Sequence, residues 1–202
     1  MLFRSKRDRI LLSTKFGNRK GYPGEEARPA DGRPEMVARY VEASLKRLGT
    51  DHVDVLYLHR VDPNVPIEDT VGAMGRLVEQ GKVRYVGVCE VAPDTLRRAY
   101  KTYPLSVVQT EYSLWFRDCE AELLPLCREL GVAFVGYAPL GRGLLTGRIR
   151  TIDDMPANDR RRRHPRFQPE NLARNVGLVA QLDRKSTRLN SSHVALSRMP
   201  SS

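Results

Sequence analysis

The sequence predicts an α/β fold: a parallel (β/α)₈ barrel of the TIM type, incomplete, with about five of the eight βα units. Short apolar runs rich in β-branched residues alternate with longer amphipathic segments, the order typical of parallel strands joined by helical crossovers. The strands are apolar on both faces, as strands covered by helices must be. No Gly-x-Gly-x-x-Gly segment follows the first strand, which disfavours a Rossmann-like sheet.

Five apolar runs are predicted as buried strands, at residues 10–14, 53–58, 85–89, 106–109 and 132–137. Five segments with helical spacing of apolar residues lie between and after them, at residues 34–48, 67–79, 93–100, 118–130 and about 169–182. Prolines at their beginnings and glycines after their ends mark most of these helices. A complete barrel takes about 250 residues, so this chain has no room for the remaining units.

The two ends of the chain differ from this pattern. From Arg184 onward the sequence is rich in serine and arginine and has neither helical nor strand periodicity. We expect this tail, residues 184–202, to be disordered and to be an artefact that resembles translated sequencing-adapter sequence. Residues 1–5 are interpreted as its counterpart at the other end. The predicted domain is therefore a partial barrel over residues 6–183.

The composition, with 41% hydrophobic and 29% charged residues, predicts a soluble globular protein. No apolar stretch approaches the roughly 20 residues that span a bilayer, so no membrane partner is expected. The N-terminus is too polar for a secretory signal, and the three cysteines form no Cys-x-x-Cys pair, which indicates a cytoplasmic location. Cys119 and Cys127 are interpreted as small buried hydrophobic residues.

The formal net charge of +10 suggests a nucleic-acid partner, because clustered basic residues release counterions from phosphates. The excess is local, however, since part of it lies in the tail and part in the run Arg160–Arg163. No interleaved aromatic residues accompany that run, so we expect an exposed loop and no nucleic-acid partner.

Polar residues end the predicted strands. In a parallel barrel the carboxyl ends of the strands converge on one mouth, where catalytic residues lie. Taken alone, each such residue has an ordinary structural explanation, as a solvated strand end or a packed side chain. Their joint occurrence on consecutive strands favours a site, with its candidates at Lys15, His59, Cys89, Glu90, Gln109 and Tyr137.

Four segments carry a more specific resemblance. Residues 12–17 (LSTKFG), 54–60 (DVLYLHR), 109–113 (QTEYS) and 136–147 (GYAPLGRGLLTG) resemble, in order and spacing, the signature segments of the aldo/keto reductases. This resemblance implies an oxidoreductase that transfers a hydride between NADP(H) and an aldehyde or ketone, a small-molecule carbonyl substrate.

The resemblance also implies a tetrad of Asp, Tyr, Lys and His around the reacting carbonyl. The tyrosine is the general acid, the lysine lowers its pKa, and the histidine orients the substrate oxygen. Matching segments assign the lysine role to Lys15 and the histidine role to His59. The family's Asp and Tyr precede the lysine, but no tyrosine precedes Lys15 and Asp8 lies in the wrong context. We therefore expect this fragment to be inactive.

The cofactor contacts are likewise implied by the resemblance. Cys89, Glu90 and Gln109 would meet the nicotinamide carboxamide, and Tyr137 would stack on the ring. Cys89 and Glu90 stand where the family often has serine and asparagine, and a thiol is a weak donor. Glycines would let backbone N–H groups approach the pyrophosphate, and the segment that would wrap it consists of Pro139, Leu140, Gly141, Arg142, Gly143 and Leu144. No metal site is predicted.

Two other functions remain open as alternatives. One is a non-enzymatic regulatory protein of the same fold, similar to the potassium-channel β subunits. The other is a basic nucleic-acid-binding module. DNA binding that depends steeply on salt and persists after deletion of the tail would favour that alternative. The sequence predicts neither the substrate's identity nor the oligomeric state.

Overall fold

Five parallel strands form one sheet in the residues that the computed structural model describes, 4–18 and 30–188. Every neighbouring pair is parallel, and the order in the sheet follows the order in the chain. This arrangement is that of successive βα units of a barrel. The strands are β1 (Ser13–Phe16), β2 (Val53–Leu58), β3 (Val83–Cys89), β4 (Val107–Glu111) and β5 (Ala133–Tyr137).

The helices are close to those predicted from the sequence. They are α1 (Pro34–Leu48), α2 (Ile67–Glu79), α3 (Pro93–Thr102), α4 (Leu123–Leu130) and α5 (Pro169–Arg188). The prediction of one helix over 118–130 is wrong, because Asp118–Glu120 forms a separate 3₁₀ turn. Pro125 explains the difference, since proline fits only the first turn of an α-helix and α4 must begin just before it.

Both ends of the chain extend beyond the described residues. Helix α5 continues past its predicted end at 182 and includes residues 184–188 of the predicted tail. The disorder predicted for the rest of that tail, 189–202, and the artefact proposed for residues 1–3 lie outside the described residues.

The first strand lies further along the chain than predicted. The prediction placed it at 10–14, whereas β1 begins at Ser13 and contains Lys15. Leu12 is still tied to β2, because its carbonyl accepts the N–H groups of Asp54 and Val55 at 2.8 and 3.1 Å. The apolar residues before β1 therefore mark its approach to the sheet, and the polar candidate residue belongs to the strand itself.

Alternation along the strands separates two faces of the sheet. Even-numbered residues such as Leu56, Val88 and Val108 are fully buried, as expected for the face that helices cover. Odd-numbered residues lie on the opposite face, which we call the site face. The prediction of five buried strands is wrong for the outer strands β1 and β5, which are largely exposed or half-exposed. Each has a neighbouring strand on one side in the described sheet.

Contacts divide the chain into two units. The first contains the residues up to Glu111 together with Arg117–Tyr137, and the second contains Tyr112–Phe116 and the residues after Tyr137. The second unit has its own apolar core, built from short 3₁₀ turns and helix α5, whose buried members are Leu144, Ile149, Met155, Phe167, Leu172 and Val179. None of the described helices is long and apolar enough to cross a membrane.

The predicted exposed loop at Arg160–Arg163 is instead a short 3₁₀ helix. Arg161 and Arg162 are half-buried, and they donate hydrogen bonds to the carbonyl oxygens of Arg142 and Met155 at 3.0 and 2.8 Å. Arg160 and Arg163 are exposed. The run is therefore partly structural.

A buried carboxylate ties the amino ends of the strands together. The side chain of Asp54 is fully buried and lies 2.8 Å from a guanidinium nitrogen of Arg7 and 3.1 Å from one of Arg84. It also accepts the N–H of Leu12 at 2.7 Å. Burial by itself would raise the pKa of Asp54, but the Leu12 N–H and the two guanidinium groups outweigh it and hold that pKa below its ordinary value.

The substitution Asp54→Asn should destabilise the fold by about 3 kcal/mol at neutral pH, because it leaves two guanidinium groups around an uncharged side chain. A depressed carboxyl pKa stabilises the fold above its ordinary value of about 3.9 and ceases to do so as the pH falls through the folded-state value. The difference in urea-unfolding free energy between wild type and variant should therefore shrink from pH 7 to pH 3. A difference independent of pH would contradict this role, and Asp8→Asn, at an exposed position of the same unit, is the control.

Candidate active site

The strand register places four of the predicted site residues on one face of the sheet, namely Lys15, Cys89, Gln109 and Tyr137. Lys15 is the partner of Tyr57 across β1 and β2, and Cys89 is the partner of Gln109 across β3 and β4. The ammonium group of Lys15 donates a hydrogen bond to Oε1 of Gln109, which spans the width of the two intervening strands. The structure thus brings together two residues that are far apart in the chain.

A buried apolar patch lies on the site face beneath Lys15. It consists of Tyr57, Cys89 and Val107, with Val55 at its side. Lys15 Nζ lies 5.5 Å from the centroid of the Tyr57 ring, within the range of a cation–π contact. Sequence reasoning missed Tyr57, although its position two residues before His59 places both on the same face.

Gly87 provides the space that this packing requires. A Cβ atom at that position would lie 2.6 Å from Cγ1 of Val107 and 3.0 Å from Cδ1 of Tyr57. The first distance is shorter than real Cβ atoms show and the second is tighter than most of their contacts, so Tyr57 and Val107 pack over a glycine. This close approach fixes the base of the site between β2 and β4.

His59 follows β2 and is half-buried. Its backbone N–H donates to the carbonyl oxygen of Phe16 at 2.8 Å, which holds the ends of β1 and β2 together. Burial lowers the pKa of His59, and the positive charges of Lys15 and Arg60 lower it further. The imidazole is therefore neutral at pH 7, with one nitrogen that donates and one that accepts.

Cys89 is 2% exposed and lies next to Lys15. Burial raises the pKa of its thiol, and the nearby Lys15 ammonium only partly opposes that effect. The thiol is therefore protonated at neutral pH and is not an activated nucleophile. Cys119 and Cys127 are also buried free thiols with raised pKa values, so their predicted structural role is confirmed.

Glu90 follows β3 in a left-handed backbone conformation, with φ of 54°. Its N–H donates to the Gln109 carbonyl oxygen at 2.9 Å, and its Oε1 accepts the N–H of Glu111 at 2.8 Å. Its Oε2 lies 3.8 Å from a guanidinium nitrogen of Arg60. Burial and a hydrogen bond with Glu90 raise the pKa of Tyr137, while Arg60 acts in the opposite direction.

The predicted pyrophosphate segment belongs to the second unit. Gly141, Arg142 and Gly143 have positive φ angles of 58°, 60° and 96°, so the chain turns tightly there. The N–H groups of Gly141 and Gly143 donate to the carbonyl oxygens of Ala138 and Leu140 at 2.8 and 3.0 Å. These two N–H groups, which the sequence prediction directed at a ligand, bond within their own loop.

Arg161 holds this loop from outside. It donates to the Arg142 carbonyl oxygen at 3.0 Å, and one of its nitrogens lies 2.9 Å from where a Cβ of Gly143 would stand. Asp159 fixes the guanidinium group by accepting hydrogen bonds from its Nε and Nη2. Hydrogen bonds from Arg161 lower the pKa of Asp159 to about 2. In the described part of the chain, no group of His, Cys, Asp and Glu side chains could hold a metal ion.

Comparison with known proteins decides the family. The sequence matches the family model of the Aldo/keto reductase family over residues 2–197. The chain belongs to the aldo/keto reductase family. The resemblance predicted from the four signature segments is thereby confirmed, while the domain boundaries at 6 and 183 stay a prediction.

Individual aldo/keto reductases agree with this assignment. A curated relative from Glycine max, a probable aldo-keto reductase, is 46% identical over 178 residues, which are 88% of this chain and 50% of that protein. The structure of a glycerol dehydrogenase from Gluconobacter oxydans has a TM-score of 0.79 at 26% identity and covers 93% of this chain and 58% of its own. An aldo-keto reductase from Bacillus halodurans, in its holo form, has a TM-score of 0.64 at 30% identity, with coverages of 78% and 50%.

This aldo/keto reductase chain spans about half the length of the curated relative, and between half and three fifths of the two solved structures. The predicted fold class, a (β/α)₈ barrel represented by about five units, is confirmed by these structural neighbours together with the parallel sheet.

Replacement of Arg161 by alanine should loosen the loop that follows β5, because the bond to the Arg142 carbonyl oxygen disappears. Backbone amides of 141–147 should then exchange with deuterium faster than in wild type, and the pKa of Asp159 should rise from about 2 toward the ordinary aspartate value of 3.8. Hydrogen exchange with mass spectrometry measures the first effect. Arg163→Ala, at an exposed position of the same 3₁₀ helix, is the control. Equal exchange in both variants would contradict the role of Arg161 in holding the loop.

Proposed function

We propose that the aldo/keto reductase represented by this chain is an NAD(P)H-dependent carbonyl oxidoreductase, with NADP(H) as its cofactor and a small aldehyde or ketone as its substrate. The observation that carries this proposal is the convergence of Lys15, His59 and Gln109 at the carboxyl ends of neighbouring parallel strands. In a parallel barrel this end is where catalysis takes place. When bound, the cofactor supplies the hydride.

The residues of the first unit fit a nicotinamide group. Oε1 of Gln109 accepts a hydrogen bond from the Lys15 ammonium group. The amide NH₂ of Gln109 is therefore the group of that side chain that can donate to the carbonyl oxygen of a carboxamide. Tyr137 offers a half-buried aromatic ring one strand further along the sheet. The neutral ring of His59 can donate a hydrogen bond to a substrate carbonyl oxygen, while Lys15 provides a positive charge that stabilises a developing alkoxide.

The general acid of the reaction is proposed to come from outside this chain. The fourteen residues before Lys15 contain no tyrosine. Tyr57, which lies under Lys15, is 6% exposed, and burial raises its pKa, so it is a poor proton donor to a substrate.

The isolated chain should therefore bind NADPH but should not reduce aldehydes above the uncatalysed rate. Quenching or enhancement of nicotinamide fluorescence measures the binding. Gln109→Ala should weaken it by about tenfold, the value of one hydrogen bond. Gln80→Ala, at an exposed helix end, is the matched control. Turnover of an aldehyde by the purified chain would contradict the absence of a general acid.

A chimera can test the oxidoreductase function itself. Residues 6–183 of this chain would replace the matching half of the Glycine max relative, which is 46% identical. We expect NADPH-dependent reduction of aldehydes, and a loss of roughly 10²- to 10⁴-fold in kcat on Lys15→Met, because the alkoxide loses its stabilising charge. Lys82→Met, at the amino end of β3, serves as the control. A folded chimera that binds NADPH but reduces no carbonyl would favour the regulatory alternative.

A further inference from the structure

We infer that Glu90 is a positioning residue that braces the segment after β2, which contains Arg60, and the ends of β4 and β5. In this way it fixes Tyr137 for the nicotinamide ring, and it does not contact the carboxamide itself. This inference rests on the proposed function for its cofactor. Its structural part concerns contacts within the first unit and can be tested without any ligand.

The backbone and side chain of Glu90 are both tied to β4. The N–H of Glu90 donates to the Gln109 carbonyl oxygen at 2.9 Å, and the carboxylate accepts the N–H of Glu111 at 2.8 Å. These two bonds lie on either side of Thr110 and continue the parallel ladder beyond the end of β3. The carboxylate thus replaces a backbone carbonyl that β3 no longer provides.

The other carboxylate oxygen connects to the neighbouring loops. Oε2 lies 3.8 Å from Nη1 of Arg60, which follows His59. Tyr137 shares a hydrogen bond with the same carboxylate, and its ring ends β5, where it is the register partner of Glu111. One side chain therefore links residues that follow or end β2, β3, β4 and β5.

The backbone of Glu90 indicates that these contacts hold it firmly. Its φ of 54° is a left-handed conformation that non-glycine residues rarely adopt. Such a conformation persists only where the surroundings fix it. The side chain is 26% exposed, so the bonds to Glu111 and Tyr137 form away from most of the solvent.

The chemistry of a carboxylate separates this role from carboxamide recognition. A carboxamide presents both a donor and an acceptor, whereas a carboxylate only accepts. The acceptors of Glu90 face the Glu111 N–H, the Arg60 guanidinium and the Tyr137 side chain. An asparagine amide at this position would have a single acceptor oxygen, so it could not offer separate oxygens to the Glu111 N–H and to Arg60. The negative charge of Glu90 thus matches the surroundings that this chain provides.

The test uses the whole chain and reads the ionisation of Tyr137 directly. The chain has eight tyrosines, so the Tyr137 signal is isolated by subtracting the ultraviolet titration of the same protein carrying Tyr137→Phe. The titratable groups near Glu90 are Arg60, Tyr137, Glu111, Cys89 and Cys119. Tyr137→Phe leaves the others in place, and the subtraction removes their contribution.

Glu90→Gln should lower the pKa of Tyr137, since the carboxylate that raises it is gone while Arg60 still lowers it. Arg60→Met should move that pKa in the opposite direction, which keeps the inference testable if Glu90→Gln does not fold. Glu79→Gln, at the exposed end of α2, is the control. An unchanged Tyr137 pKa in both Glu90→Gln and Arg60→Met would overturn the brace.

The cofactor part has a separate readout. NADPH should bind Glu90→Gln about tenfold more weakly than wild type, because Tyr137 is no longer held in place. Equal affinity for the two proteins would overturn the positioning role. If the Tyr137 shifts occur but wild type binds no NADPH, the brace stands and the proposed cofactor function fails. The two failures are therefore distinguishable.

Discussion

The parallel register of the strands is the constraint on which the rest of the structure depends. Side chains alternate between the two faces of a strand, so a slip of one residue would exchange every buried residue with an exposed one. Apolar even-numbered residues such as Leu56 and Val108 require burial against helices and therefore fix the register. The odd-numbered positions are then obliged to share the opposite face, and this is what brings Lys15 to Gln109 across two strands. The site is a consequence of how the core is packed.

The two charged groups of the candidate site, Lys15 and Glu90, have different surroundings. Lys15 is placed among an amide oxygen, an aromatic face and a protonated thiol, none of which carries a negative charge at pH 7. Its field therefore remains and lowers the pKa of His59. Glu90 is paired with Arg60 and accepts a hydrogen bond from a backbone N–H, so these two partners offset its negative charge. The cation and the anion thus have separate roles in the site.

The sequence predicts repeated local features well and contacts between distant segments poorly. Runs such as 53–58 and helices with proline and glycine at their ends were located within a few residues, because hydrophobic spacing and backbone restrictions act locally. The apolar run before β1 was mistaken for the strand, since Lys15 is polar although it is paired in the sheet. The outer strands β1 and β5 look buried in composition but are largely exposed or half-exposed, because burial depends on neighbours and not on residue type alone.

The same distinction applies to the site. Lys15, His59 and Gln109 were predictable because each ends or follows an apolar run that must be a strand. The hydrogen bond from the N–H of Glu111 to Glu90 has no signal in the sequence. It depends on the left-handed backbone of Glu90 after β3 and on the position of Glu111 in the neighbouring strand β4. A glutamate at this position then has a physical reason that its residue type alone does not reveal. Its carboxylate completes the ladder that β3 leaves unfinished, and its other oxygen lies 3.8 Å from the guanidinium group of Arg60, which follows β2.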